Sequence, residues 1–180
     1  KSNASQTDKY VDRAIELRSL QNTRVLSDSG TETESEWRIF EIEAYRPTEA
    51  ARRDAGELAK REEVPLIWAV PLGGQSTRDR GQFWAFFPTE YETTLKGILN
   101  APWKTNEDRQ NLLRGKFNEE LIEQFAHLVV DNLEDLVDGE DPGAFLELLP
   151  ARAREAPSWA DELLTGLVYQ FTGNVPSLPD

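Results

Sequence analysis

The run at residues 65–72 constrains the fold more than any other stretch. Leu66, Ile67, Trp68, Ala69 and Val70 follow one another without a polar interruption. The run is too short for an ordinary helix, and Gly73-Gly74 closes it, so it reads as a strand covered on both faces. The rest of the chain is polar, with 38% hydrophobic residues and 29% charged ones. Five Trp and eight Phe nevertheless supply enough apolar volume for a core around that strand.

Other elements follow from periodicity. Residues 37–45 alternate: Arg38, Phe40, Ile42 and Ala44 share one side, and Glu41 and Glu43 take the other. This is a strand with one wet face. Residues 49–63, rich in Ala, Glu, Arg and Lys, read as a helix that Gly56 weakens. Residues 73–81 form a polar turn, 82–87 a strand ended by Pro88, and 97–101 a shorter strand ended by Pro102. Leu121, Ile122, Phe125, Leu128, Val129, Asn132, Leu133 and Leu136 form the apolar stripe of a long helix over 117–136, stopped by Gly139. Two more helices are expected at 142–149 and 158–171.

At the start, Ser2-Asn3-Ala4 reads as a cloning scar and is set aside, with the Asn3-Ala4-Ser5 glycosylation-type match it creates. Val11, Ala14, Ile15, Leu17 and Leu20 suggest a short amphipathic helix over 10–20, capped by Asp8. Residues 21–36 are Ser, Thr, Asp, Glu and Gly-rich and read as a linker. Three segments result: 1–36 with scar, helix and linker; 37–137 as the folded unit; and 138–180 as a helical C-terminal appendage. The expected class is α+β, a mixed sheet of about four strands in βαβββα order covered by helices. The strand-helix-strand unit at 37–72 implies a right-handed crossover with parallel pairing.

Composition excludes several chemistries. The net charge is −13, a poor match to phosphate backbones or anionic membranes. There is no cysteine, so no disulfide, thiolate metal site or cysteine nucleophile exists. No apolar run reaches the ~18 residues of a spanning helix, and no signal peptide is visible. The chain is read as cytoplasmic.

The single histidine, His127, lies mid-helix between Ala126 and Leu128 and reads as structural or surface. Asp131, Glu134, Asp135, Asp138, Glu140 and Asp141 form an acidic run without the spacing of a calcium loop, and read as a solvated helix end. No Walker loop and no G-x-G-x-x-G occurs, and Asp28-Ser29-Gly30 and Asp138-Gly139 do not make an Asp-x-Gly-x-Gly nucleotide motif. The chain carries no complete active site and no nucleotide site of its own.

A more specific pattern runs through residues 82–122. Phe86-Phe87-Pro88-Thr89-Glu90 is followed by Thr93-Thr94-Leu95 and then by Asn100-Ala101-Pro102-Trp103-Lys104-Thr105-Asn106-Glu107-Asp108-Arg109-Gln110-Asn111-Leu112. Asn118-Glu119-Glu120-Leu121-Ile122 completes it. This run resembles the segment after the ATP-binding domain in bacterial proteins with a sacsin N-terminal ATPase-like domain. Those proteins belong with the gyrase, chaperone, histidine-kinase and MutL (GHKL) ATPases.

The resemblance implies a non-catalytic transducer or middle segment that relays nucleotide state from an upstream ATP-binding domain. That domain would hold the ATP and Mg²⁺; this chain would bind no cofactor. Such regions donate a basic side chain to the terminal phosphate. Arg109 is the first candidate for that contact and Lys104 the second. A pairing of Arg109 with Glu107, Asp108 or a main-chain carbonyl remains open as a structural alternative. The runner-up function is a stand-alone acidic protein-interaction module or homo-oligomer. Its docking face would comprise Leu146, Leu148, Leu149, Leu163, Leu164, Leu167 and Val168. The aromatics Phe83, Trp84, Phe86, Phe87 and Trp103 read as core.

Overall fold

The computed structural model describes residues 14–19, 24–29, 34–72, 80–137, 143–150 and 158–173. The class is α+β, as expected, but the described residues form a sheet of seven strands. They are β1 (Ala14–Ser19), β2 (Arg24–Ser29), β3 (Glu34–Tyr45), β4 (Val64–Leu72), β5 (Gly81–Trp84), β6 (Pro88–Thr93) and β7 (Ile98–Asn100). Their order across the sheet is β1-β2-β3-β4-β7-β5-β6. The helices are α1 (Glu49–Asp54), α2 (Lys116–Asp131) and α3 (Trp159–Thr172).

The expected N-terminal helix and linker are both strands where they are described. β1 pairs antiparallel with β2, and β2 with β3, in unbroken registers such as Leu17↔Leu26 and Arg24↔Ile39. Ile15 and Leu17 fit a period of two as well as a helical face, and cross-strand pairing selects the former. Polar composition did not forbid β2, because a strand between two neighbours has all its main-chain groups paired.

The unit at 37–72 differs from expectation in direction. β3 and β4 are antiparallel, from Glu36↔Leu72 to Tyr45↔Val64, with a register shift between Ile42 and Tyr45. Only six residues of the connection form α1; Gly56, at φ 66°, then turns the chain into a 3-10 segment (Gly56–Lys60). A six-residue helix is about 9 Å long and cannot return the chain along a nine-residue strand of about 30 Å. The parallel pair of this mixed sheet is β5 with β7 instead, Phe83 opposite Leu99.

Burial in β4 alternates: Val64, Leu66, Trp68 and Val70 are buried, and the residues between them are partly covered. The strand was expected to be enclosed on both sides. An antiparallel sheet packed by helices on one side needs only one sealed face. Phe40 stacks on its register partner Trp68 with centroids 5.3 Å apart. Trp103 meets Phe83 edge-on and stacks on Phe125 of α2, each at 5.3 Å, which ties sheet to helix. The long-helix stripe is confirmed at Leu121, Ile122, Phe125, Leu128 and Val129, with Phe117 and Asn118 added at its start, but the helix ends at Asp131 and Leu136 falls in a separate 3-10 turn, Glu134–Leu136.

Three further corrections concern segment ends. The strand expected over 82–87 stops at Trp84, and Pro88 opens β6 instead of closing a strand. Phe86 and Phe87 are therefore not core: they are 47% and 68% exposed. The helix expected at 142–149 is a 3-10 turn, Ala144–Leu148. Gly139 and the later part of the acidic run lie outside the described residues.

The C-terminal segment shares the core of the rest. Ala160, Leu164 and Val168 of α3 belong to the same buried cluster as the sheet and α2. Leu148, Leu149, Leu163 and Leu167 pack against it, which leaves Leu146, 61% exposed, of the seven residues considered for a docking face. Ser158 caps α3 by accepting the Asp161 N–H. The Asp161 carboxylate is itself fully buried and accepts from the Thr93 hydroxyl at 2.7 Å and the Thr94 N–H at 2.6 Å. No described helix is long and apolar enough to cross a membrane.

Candidate functional site

The chain from Ala101 to Gly115 links β7 to α2 and forms a closed hairpin. Thr105 and Leu112 make an antiparallel bridge. Asn106 donates its N–H to the Asn111 carbonyl and accepts the Asn111 N–H on its side chain, both at 3.0 Å. The Arg109 N–H returns to the Asn106 carbonyl at 3.0 Å, and Asp108 accepts the Gln110 N–H. Asn first and Asp third is turn chemistry, because both side chains bond nearby main-chain N–H groups. The Glu90 N–H bonds the Gln110 carbonyl and fastens the hairpin to β6.

Arg109 occupies the left-handed region, at φ 60°. Its side chain is exposed. It makes no hydrogen bond and no ion pair among the described residues, so the pairing with Glu107, Asp108 or a carbonyl is not formed.

Lys104 is in a different position. Its ammonium bonds the Asp54 carbonyl and lies 3.4 Å from the Asp54 carboxylate. That carboxylate also accepts the Phe117 N–H at 3.1 Å. The Phe117 N–H is the main reason that Asp54 titrates below the usual carboxylate range; burial opposes it and Lys104 assists it. Lys104 is thus an anchor between the loop and α1.

Both candidates line one open groove of about 500 Å³. Its walls are the end of α1 with the 3-10 segment, the bend after β5, and the loop before α2. Arg61 and Phe86 line it together with Arg109, and Glu57 is the one carboxylate among its described lining residues. The Arg61 guanidinium lies 5.7 Å from the Phe86 ring centroid. A chain of net charge −13 therefore places three cations around one groove.

Backbone strain converges on the same place. Among the described residues, Phe86 (φ 63°) and Arg109 are the non-glycine residues at positive φ. Both line the groove, and Gly56, also at positive φ, lines it too. Such conformations cost about 1–3 kcal/mol each for bulky residues and persist where surrounding structure enforces them. At Phe86 the enforcing contact is its N–H, held by the Asn100 side chain at 2.9 Å.

Sequence reasoning does not mark Arg61, Phe86 or Asp54 as site residues, although Phe86 stands in the resemblance run and among the aromatics read as core. Arg61 belonged to a charged helix and Phe86 to an aromatic strand, and nothing local marks Asp54 among 33 acidic residues. His127 is exposed and stacks on Phe171 at 4.1 Å, bridging α2 and α3. No group of three or more potential metal ligands comes together among the described residues.

Comparison with protein-family models, with curated proteins and with solved structures finds no match to this chain.

Proposed function

We propose that this chain is the transducer-like segment of a sacsin-like GHKL ATPase, non-catalytic in itself, relaying nucleotide state from an ATP-binding domain upstream. One observation carries this reading. Arg109 stands at the tip of a hydrogen-bonded hairpin, at positive φ, with its guanidinium unpaired among the described residues and lining the same groove as Lys104 and Arg61.

A planar guanidinium fork suits phosphate oxygens. Presented to a docked nucleotide, Arg109 would neutralise charge that builds on the terminal phosphate during transfer. Lys104 supports it from the loop stem. ATP and Mg²⁺ belong to the upstream domain in this reading, and the place of action is the cytoplasm.

The test is Arg109→Ala in the polypeptide that joins this chain to its ATP-binding domain. Turnover is expected to fall about 100-fold, the usual scale for losing one charge-stabilising donor. Circular dichroism of the chain should stay unchanged, since the side chain bonds nothing among the described residues. Wild-type turnover in the variant would sink the reading.

A further inference from the structure

We infer that Asn118 is a positioning residue for Arg109, joining the hairpin and helix α2 into one body. The inference rests on the sensor reading of Arg109.

Asn118 is fully buried in the first turn of α2. Its side-chain oxygen accepts the Lys104 N–H at 2.9 Å. Its amide nitrogen donates to the Lys104 carbonyl and to the Leu113 carbonyl, each at 2.7 Å. Lys104 and Leu113 are the two stems of the Arg109 hairpin, and they bond each other through the Leu113 N–H at 2.9 Å. One side chain thus clasps both ends of the loop. Asn suits this place because it offers an acceptor and two donors on one short planar group. An apolar residue would leave the Lys104 N–H and the Leu113 carbonyl without this partner, while the Lys104 carbonyl would keep only the Leu113 N–H.

The clasp continues into the helices. Lys104 ties the same stem to Asp54, which caps the start of α2 through Phe117. From α2, Glu120 reaches back to α1, accepting the Thr48 N–H at 2.7 Å and the Tyr45 hydroxyl at 2.8 Å. Each helix therefore holds the N-terminus of the other. A displacement of Arg109 cannot be absorbed in the loop alone; it is carried to α2 and α1. That is what a relay requires: a contiguous element with its input at one end.

The experiment has two arms. In this chain, amide hydrogen exchange is compared between wild type and Asn118→Ser. The Arg109, Asn111 and Leu113 amides should exchange about tenfold faster in the variant, with α3 unchanged. Unchanged loop amides overturn the inference. Should the variant not fold, native-state exchange of the wild type against urea decides instead. The Leu113 amide and the first hydrogen-bonded amides of α2 must then share one opening energy and slope, and independent opening overturns the inference.

In the polypeptide that includes the ATP-binding domain, Asn118→Ser should lower kcat about tenfold with KM unchanged, the scale of a small misplacement. It should cost nothing further on top of Arg109→Ala. Equal losses in both backgrounds would make Asn118 merely structural. Wild-type turnover for Arg109→Ala would instead remove the sensor reading, and the exchange arm would still report whether Asn118 holds the loop.

Discussion

Asp54, the last residue of α1, accepts the main-chain N–H of Phe117 in the first turn of α2 at 3.1 Å. It is an N-cap supplied from outside the helix. The residue in the cap position is Gly115, which has no side chain to offer. A Cβ at this position would overlap the Asp54 carboxylate as it is placed, so any larger residue there must push that carboxylate aside. The glycine and the aspartate thus form one device. The carboxylate replaces a missing cap and also holds Lys104.

Asp54 makes stability depend on pH in a defined direction. Its folded-state pKa lies below the ordinary value, so the unfolded chain binds the proton more tightly. The stabilisation is present above the unfolded carboxylate pKa of about 4 and is lost as pH falls through the lower folded value. Asp54→Asn should lose about 1 kcal/mol at neutral pH, typical of a lost cap. It should also flatten the acid limb of a urea-midpoint profile. Gly115→Ala should show the same flattening, because it displaces the carboxylate without removing it. A Gly115→Ala protein with a wild-type acid limb would disprove the coupling.

Asp161 is a buried carboxylate that no cation accompanies among the described residues. Its partners are the Thr93 and Thr94 hydroxyls and the Thr94 N–H. Asp161→Ala would strand those donors and should cost about 3 kcal/mol in chemical denaturation, the summed scale of groups buried without partners. The α3 amides should lose exchange protection first, because this contact docks α3 on the turn after β6. Equal loss across the sheet would argue against a local latch.

Arg109 gives the opposite expectation for stability. Its left-handed backbone costs roughly 1 kcal/mol, and its side chain bonds nothing among the described residues. Arg109→Gly should leave the urea midpoint unchanged or raise stability by up to about 1 kcal/mol. Turnover in the joined polypeptide should be lost at the same time. A clear drop in stability would show that the side chain holds the loop together.

Much of the architecture is legible residue by residue. The alternation of β3, the apolar run of β4, the stripe of α2 and the helix over 158–171 are local signals, and each element appears where its pattern stands. The loop bearing Arg109 and Lys104 was legible too, as a motif between a strand end and a helix. The strands β1, β2 and β6 were not. Their side chains carry weak or ambiguous periodicity, and partner strands decide them through main-chain hydrogen bonds that no local window contains. The same holds for the reversal of β4 against β3, set by how short α1 is.

The run at residues 65–72 by itself determined that a sheet had to exist, because so much continuous apolar surface must be taken out of water. Tertiary structure alone decided what surrounds it and which charged groups matter. Asp54 meets Phe117 across 63 residues, and Asp161 meets Thr94 across 67. An acidic residue acquires its role from the donors that folding places around it, and some of those donors, such as the Phe117 and Thr94 N–H groups, are main-chain groups with no sequence identity.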